Sequence, residues 1–224
     1  RSPQSAPEKM SDPRAHLEDL LVRREDLAVL ADAIWWAYQE AEAAYASGRK
    51  LLLCGNGGSA SDAEHIAGEL MKGFLKKRPL EDALRKRLAE IGGQKGEEIG
   101  GLLQQGMPAI SLVSQTALGT AVINDIGGDM IFAQQVNALG QKGDVLWALS
   151  TSGNSRNVVA AAIVAQARGL KVVGFTGQSG GVLKEYADIL LNVPYVATHV
   201  VQEAHLPIYH ALCAMLEERF FAEA

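Results

Sequence analysis

The sequence predicts an α/β protein built on a five-stranded, doubly wound parallel sheet, and three observations carry that prediction. Five short apolar runs are bounded by glycine or charge, segments with helical spacing lie between them, and two of the runs end in loops of glycine, serine and asparagine. Strands that alternate with helices pair in parallel, because each helix returns the chain to the end of the sheet where it started. With 224 residues and no linker rich in Pro, Ser or charge, the chain reads as one domain over 10–224, preceded by a frayed arm at 1–9.

Residues 13–47 are rich in Ala, Leu and Glu, with Leu20, Leu21, Leu27, Leu30, Ile34 and Trp35 at helical spacing, and predict one long helix or two in succession. Gly48 ends this stretch. The first strand is LLLC at 51–54, and further strands are expected at 109–113, 145–149, 172–175 and 189–193. Between them, helical patterns run over 60–74, 117–123, 130–139, 155–168 and 182–187, and a last amphipathic helix covers about 199–221. The segment 80–105 stands outside the alternation. Its EDALRKRLAEI part has helical spacing and its GGQKGEEIGG part reads as a flexible joint, so it is either a solvated helical insertion or a lid or subunit contact.

Composition narrows the class. Hydrophobic residues at 48% and charged residues at 21% suit an ordinary globular protein. A net charge of −5 without a basic stripe argues against a nucleic-acid partner, whereas a small anion needs only a local nest of backbone N–H groups. No apolar run is long enough to span a bilayer, and the polar start does not resemble a signal peptide. Cys54 and Cys213 lie far apart among apolar neighbours, as reduced core thiols do, so a cytoplasmic location is expected.

In open parallel sheets, ligands sit beyond the carboxyl ends of the strands. Two loops there are chemically distinctive. GNGGS at 55–59 follows the first strand, and its glycines allow a tight turn and close approach to a ligand at Asn56, Gly57 and Ser59. Read through Ala60 it spells G-x-G-x-x-A, but a dinucleotide site requires a second strand ending in an acidic residue about 20 positions on. The stretch there is KKRPLE at 76–81, which is no strand. STSGNS at 150–155 brings the hydroxyls of Ser150, Thr151, Ser152 and Ser155 to a helix N-terminus, which suits a phosphate monoester; Ser155 is expected to cap that helix.

His65 and Glu69 are four residues apart on one helical face, and Gln202 and His210, eight apart, fall within about 80° of each other. Two imidazoles, a carboxylate and an amide oxygen can together hold a divalent ion such as Zn²⁺. Spacing alone fits ordinary core or surface residues equally well, and His199, Glu203 and His205 are read that way.

The segments CGNGGSASDAEHIAGEL, INDIGGD, GDVLWALSTSGNS and VVQEAHLPIYHALC resemble those of bacterial phosphoheptose isomerases, members of the sugar isomerase (SIS) fold family. The resemblance runs from about Ala15 to the C-terminus apart from the insertion after Pro79. It implies an aldose–ketose isomerisation of sedoheptulose 7-phosphate to D-glycero-D-manno-heptose 7-phosphate through an enediol. By that similarity Glu69 shuttles the proton between C1 and C2, and His210 acts as acid or base at a sugar oxygen. One Zn²⁺ per subunit would be held by His65, Glu69, Gln202 and His210. Ser150, Thr151, Ser152 and Ser155 would take the phosphate, with Asn56 and Ser59 at sugar or phosphate oxygens, and Asn124 and Asp125 would lie near the hydroxyls. A homotetramer with sites between subunits is implied, its bundle supplied by the first and last helices.

The chain also departs from the family. A basic residue expected shortly after Glu69 has no clear equivalent around Lys72 and Gly73, and an acidic residue is replaced near His199. A different ketose phosphate is therefore an alternative substrate. A non-catalytic relative that binds the replication initiator lacks the carboxylate and the second histidine that Glu69 and His210 supply here. A sugar-phosphate sensor fused to DNA-binding helices would need a longer, less acidic segment before the first strand.

Overall fold

The structure, a computed structural model, describes residues 12–221, so the expected arm at 1–9 lies outside the described residues. Each apolar run becomes a strand: β1 (Leu51–Cys54), β2 (Ala109–Ser111), β3 (Val145–Leu149), β4 (Lys171–Thr176) and β5 (Ile189–Asn192). They form one sheet in the order β2-β1-β3-β4-β5, and every pairing is parallel. All residues of β1 and β3 are buried, as expected where helices cover both faces of a sheet.

Alternate strand residues feed two separate cores. Leu51 and Leu53 of β1 and Trp147 and Leu149 of β3 face one layer, while Leu52, Cys54, Leu146 and Ala148 face the other. The first layer contains α1 (Arg14–Arg23), α2 (Ala31–Ala46), α3 (Gly58–Met71) and α9 (Thr198–Phe220). The one-or-two-helix region is thus α1 and α2, joined by a 3-10 turn at Glu25–Leu30. The second layer contains α7 (Ile131–Leu139) and α8 (Arg156–Ala167), with α6 (Thr116–Asp125) leading into it. In α9, Val201, Ala204, Ile208, Leu212 and Met215 are fully buried, and truncating such a Leu or Ile to Ala costs about 2–5 kcal/mol. No helix among the described residues is long and apolar enough to cross a membrane.

Three expectations need correction. The GGQKGEEIGG stretch is not a flexible joint: α4 (Asp82–Gly92) and α5 (Gln94–Leu102) form a helical hairpin and pack against each other. Gly93, at φ +53°, makes the turn, and Gly96 and Gly100 serve close packing. A Cβ on Gly96 would overlap the Leu88 carbonyl oxygen, and one on Gly100 would already touch the Arg85 Cα at 3.5 Å. Second, the pattern at 182–187 gives only a 3-10 turn, Val182–Glu185, between two sharp glycines and β5. Third, Ser155 occupies the N-cap position of α8 without capping it through its side chain.

Candidate functional site

From β1 the chain crosses to β2 on one side, and then returns past β1 to β3 on the other. The crevice between the β1 and β3 carboxyl ends is therefore the switch point where open α/β sheets bind ligands. Both loops singled out in the sequence open there. A cavity of about 300 Å³ is lined by Asn56, Gly57, Gly58 and Ser59 from the first, and by Leu149, Ser150, Thr151 and Ser155 from the second. Thr198 and Gln202 complete it from the first two turns of α9. The N-termini of α3, α8 and α9 thus meet at one cavity, and their aligned dipoles favour an anion there despite the acidic chain.

The cradle loop is held tightly. Gly153 has φ +68°, and a Cβ on it would overlap the backbone of Gly180, so the loop follows a path only glycine can take. The Ser150 hydroxyl donates to the Ser155 hydroxyl at 2.9 Å, and Ser155 makes no side-chain cap on α8, whose Val158 N–H is met instead by Asn157 Oδ1 at 3.0 Å. Ser152 is exposed and accepts from the Asn154 backbone N–H at 3.1 Å, so it shapes the loop rather than lining the cavity. Asn56 and Asn157 exchange two amide hydrogen bonds, 2.8 and 2.9 Å, and tie the two loops together. Sequence reasoning did not single out Asn157 or Thr198; nothing in a linear pattern says which residues face each other across the switch point.

Further along α3 and α9 lies the second cluster. His65 Nε2 is 3.1 Å from Glu69 Oε1 and 3.4 Å from His210 Nε2. The Tyr209 hydroxyl donates to Asp62 Oδ1 at 3.0 Å and meets His65 Nδ1 at 3.1 Å. Lys72 Nζ reaches Glu69 Oε2 at 3.3 Å, so a basic group does accompany the carboxylate, though on an exposed side chain. Burial lowers the pKa of His210, with the neighbouring His65 acting in the same direction and Glu69 against it, which favours the neutral ring. Desolvation raises Asp62 and holds Tyr209 far above the usual phenol range.

The buried pair Arg78–Glu217 fixes where Glu69 stands. Arg78 donates to the carbonyls of Leu70 at 2.7 Å and Glu69 at 3.2 Å, satisfying the C-terminal end of α3. Glu217 answers from α9, accepting from Arg78 Nε at 2.7 Å and from the N–H groups of Phe74, Leu75 and Lys76.

Of the predicted residues, the fold brings together His65, Glu69 and His210, and separately Asn56, Gly57, Ser59, Ser150, Thr151, Ser155 and Gln202. Gln202 lines the anion cavity rather than meeting the histidines. Asn124 and Asp125 end α6, exposed and bonded to each other at 2.7 Å, away from this chain's cavity. His205 is a buried core histidine bonded to the Thr176 carbonyl at 3.1 Å, as its ordinary reading anticipated. Cys54 and Cys213 are free and buried, and desolvation pushes Cys54 up to about 12, so it remains a thiol.

Among the described residues no three His, Cys, Asp or Glu side chains already surround a common point where a metal ion could sit. The donor chemistry nevertheless fits one. His65 Nε2 lies 3.1 Å from Glu69 Oε1 and 3.4 Å from His210 Nε2, so two imidazoles and a carboxylate converge, a donor set suited to Zn²⁺.

A parallel sheet with an anion cradle at its switch point, formed by a serine-rich loop before a helix, is the architecture of SIS-domain proteins, and the SIS domain family matches residues 95–177. A phosphoheptose isomerase of Burkholderia pseudomallei (strain 1710b) is 42% identical over 181 residues, 81% of this chain and 79% of the relative. One from Roseiflexus sp. (strain RS-1) is 38% identical over 202 residues, 90% and 89% of the two chains. The phosphoheptose isomerase structures from Neisseria gonorrhoeae and Francisella tularensis superpose with TM-scores of 0.71 and 0.72 at 32% identity, covering 92% of this chain and 96% of each of theirs. The chain belongs to the phosphoheptose isomerase family.

Proposed function

We propose that the protein converts sedoheptulose 7-phosphate to D-glycero-D-manno-heptose 7-phosphate through an enediol. The observation that carries this reading is the placement of the His65, Glu69 and His210 cluster beyond the anion cavity along the same two helices. From Gly58 to His65 on α3 is about 10 Å of helix, a span that a phosphorylated sugar in extended form covers with its phosphate at one end and its carbonyl at the other.

Ser150, Thr151 and Ser155 and the three helix N-termini hold the phosphate, with Ser152 shaping the loop. Asn56 and Ser59 reach sugar or phosphate oxygens. Glu69 removes a proton from C1 while His210 donates a proton to the C2 oxygen, giving the enediol. Glu69 then delivers its proton to C2, and His210 recovers one from the C1 oxygen, so the protein ends as it began. Burial favours the neutral ring of His210, which suits it for this exchange. The two Glu69 oxygens have different neighbours, His65 at Oε1 and Lys72 at Oε2, so the carboxylate can be positioned by one oxygen and carry the proton on the other.

One Zn²⁺ per subunit, held by His65, Glu69 and His210, would polarise the carbonyl oxygen when bound, while Gln202, expected as a fourth ligand, stands at the anion cavity. Asn124 and Asp125, exposed and remote from this chain's own cavity, are read as reaching substrate hydroxyls in a homotetramer whose sites lie between subunits. Two buried free thiols support a reducing, cytoplasmic setting.

Purified protein is to be offered a panel of ketose phosphates and followed by NMR. The expected result is turnover of sedoheptulose 7-phosphate that Glu69→Gln and His210→Ala abolish while circular dichroism stays unchanged. Undiminished turnover in both variants sinks the mechanism, and activity confined to another ketose phosphate moves the substrate assignment alone.

A further inference from the structure

Tyr209 has one hydroxyl proton and two partners, Asp62 Oδ1 at 3.0 Å and His65 Nδ1 at 3.1 Å. The other Asp62 oxygen, Oδ2, is buried with no hydrogen-bond partner, so Tyr209 is the donor that meets this carboxylate. A carboxylate is the stronger acceptor of the two, because the bond to it is charge-assisted. The proton therefore points to Asp62, and the phenol oxygen faces Nδ1 with its lone pairs. Only a protonated Nδ1 fits that arrangement. The ring of Tyr209 stands edge-on to His65, with centroids 5.5 Å apart, and holds the imidazole in this plane.

We infer that Asp62 and Tyr209 are positioning residues that fix His65 as its Nδ1–H tautomer and so present an unprotonated Nε2 to Glu69 and His210. The consequence for a cation rests on the proposed function: a metal binds a ring nitrogen through its lone pair, so a relay that reserves Nε2 as a lone pair pre-organises His65 as a ligand. Asp62 touches neither cation nor sugar in this role. It acts through Tyr209, and Tyr209 through the far side of the ring.

The test reads the tautomer directly. In chelator-treated protein at about pH 8, above the ordinary imidazole pKa, ¹⁵N-labelled His65 is observed by two-bond proton–nitrogen correlation and assigned by its loss in His65→Gln. Wild-type His65 is expected with Nδ1 protonated. Tyr209→Phe removes the acceptor of that proton and is expected to move it to Nε2. Asp62→Ala is expected to do the same with Tyr209 in place, because the phenol proton is then free to turn to Nδ1; this variant also carries the test should Tyr209→Phe fail to fold. An Nε2-protonated ring in the wild type, or no tautomer change in either variant, overturns the inference. Zinc competition against a chromophoric chelator is the second readout, with affinity expected to fall about 10–100-fold in both variants. Wild-type protein that takes up no zinc overturns the metal part of the proposed function, and the tautomer measurement still decides the relay.

Discussion

Arg78 and Glu217 stand 139 positions apart in the chain and meet inside the protein at 2.7 Å, with side-chain exposures of 0% and 1%. Their pairing joins the end of α3 to α9, the two helices that carry His65, Glu69 and His210. The contact is therefore structural in energy and functional in consequence.

Removing one partner leaves the other charged and unpaired in the core. Arg78→Met or Glu217→Gln alone is expected to cost about 3–5 kcal/mol in urea unfolding. The double variant, Arg78→Met with Glu217→Leu, is expected to recover part of that loss, although it leaves the N–H groups of Phe74, Leu75 and Lys76 without their acceptor. Equal stability of wild type and single variants would show that the pair contributes nothing.

The cradle predicts a binding defect. Each hydroxyl bond to a charged phosphate contributes about 1.5–3 kcal/mol, so Ser150→Ala and Ser155→Ala are expected to raise KM roughly ten- to hundredfold, with a smaller effect on kcat. Ser152→Ala, whose hydroxyl turns into the loop, is expected to change KM far less. Steady-state kinetics on the three variants separates the roles.

Asn157 holds Asn56 by two amide bonds across the switch point. Asn157→Ala is expected to free the Asn56 side chain and raise KM several-fold, while Asn157→Asp, which retains one of the two bonds, falls between. A Tm within a few degrees of wild type accompanies both, since the pair is exposed.

His205 makes stability depend on acid. Burial lowers its pKa to about 4, from the usual 6.5, so below pH 6.5 the unfolded chain binds a proton that the native ring refuses. Stability should fall as pH drops from about 6.5 to 4, by about 2–3 kcal/mol for this group. His205→Gln keeps a donor for the Thr176 carbonyl and cannot titrate, so urea unfolding at pH 7 and at about 4.5 should show a smaller loss by that amount.

The α4–α5 hairpin depends on its glycines. Gly96→Val places a branched side chain against the Leu88 backbone and is expected to speed amide exchange in both helices while leaving the sheet protected. Hydrogen–deuterium exchange resolved by segment checks this.

Much of the fold was legible in the chain. The runs 51–54 and 145–149 became strands at those bounds because a buried parallel strand needs nothing but continuous apolar residues, and that is a local property. The hairpin was misread because glycine has two uses. In GGQKGEEIGG its freedom suggested a joint, whereas its lack of a side chain, set against Leu88 and Arg85, is what the packing uses. At the site, the serine loop was legible because hydroxyls at a helix start have a chemistry of their own. His65, Glu69 and His210 were not separable from ordinary residues by spacing, and only the family resemblance raised them.

Interactions within a few residues of one another are thus enough to set the elements and the cradle. The tertiary structure decided which elements meet: that β3 returns beside β1, that three helix N-termini share one cavity, and that Tyr209 links Asp62 to His65 while Arg78 finds Glu217. These contacts join residues far apart in the chain, and their partners are chosen by burial and by the need to satisfy polar groups in the core, conditions that exist only once the chain has folded.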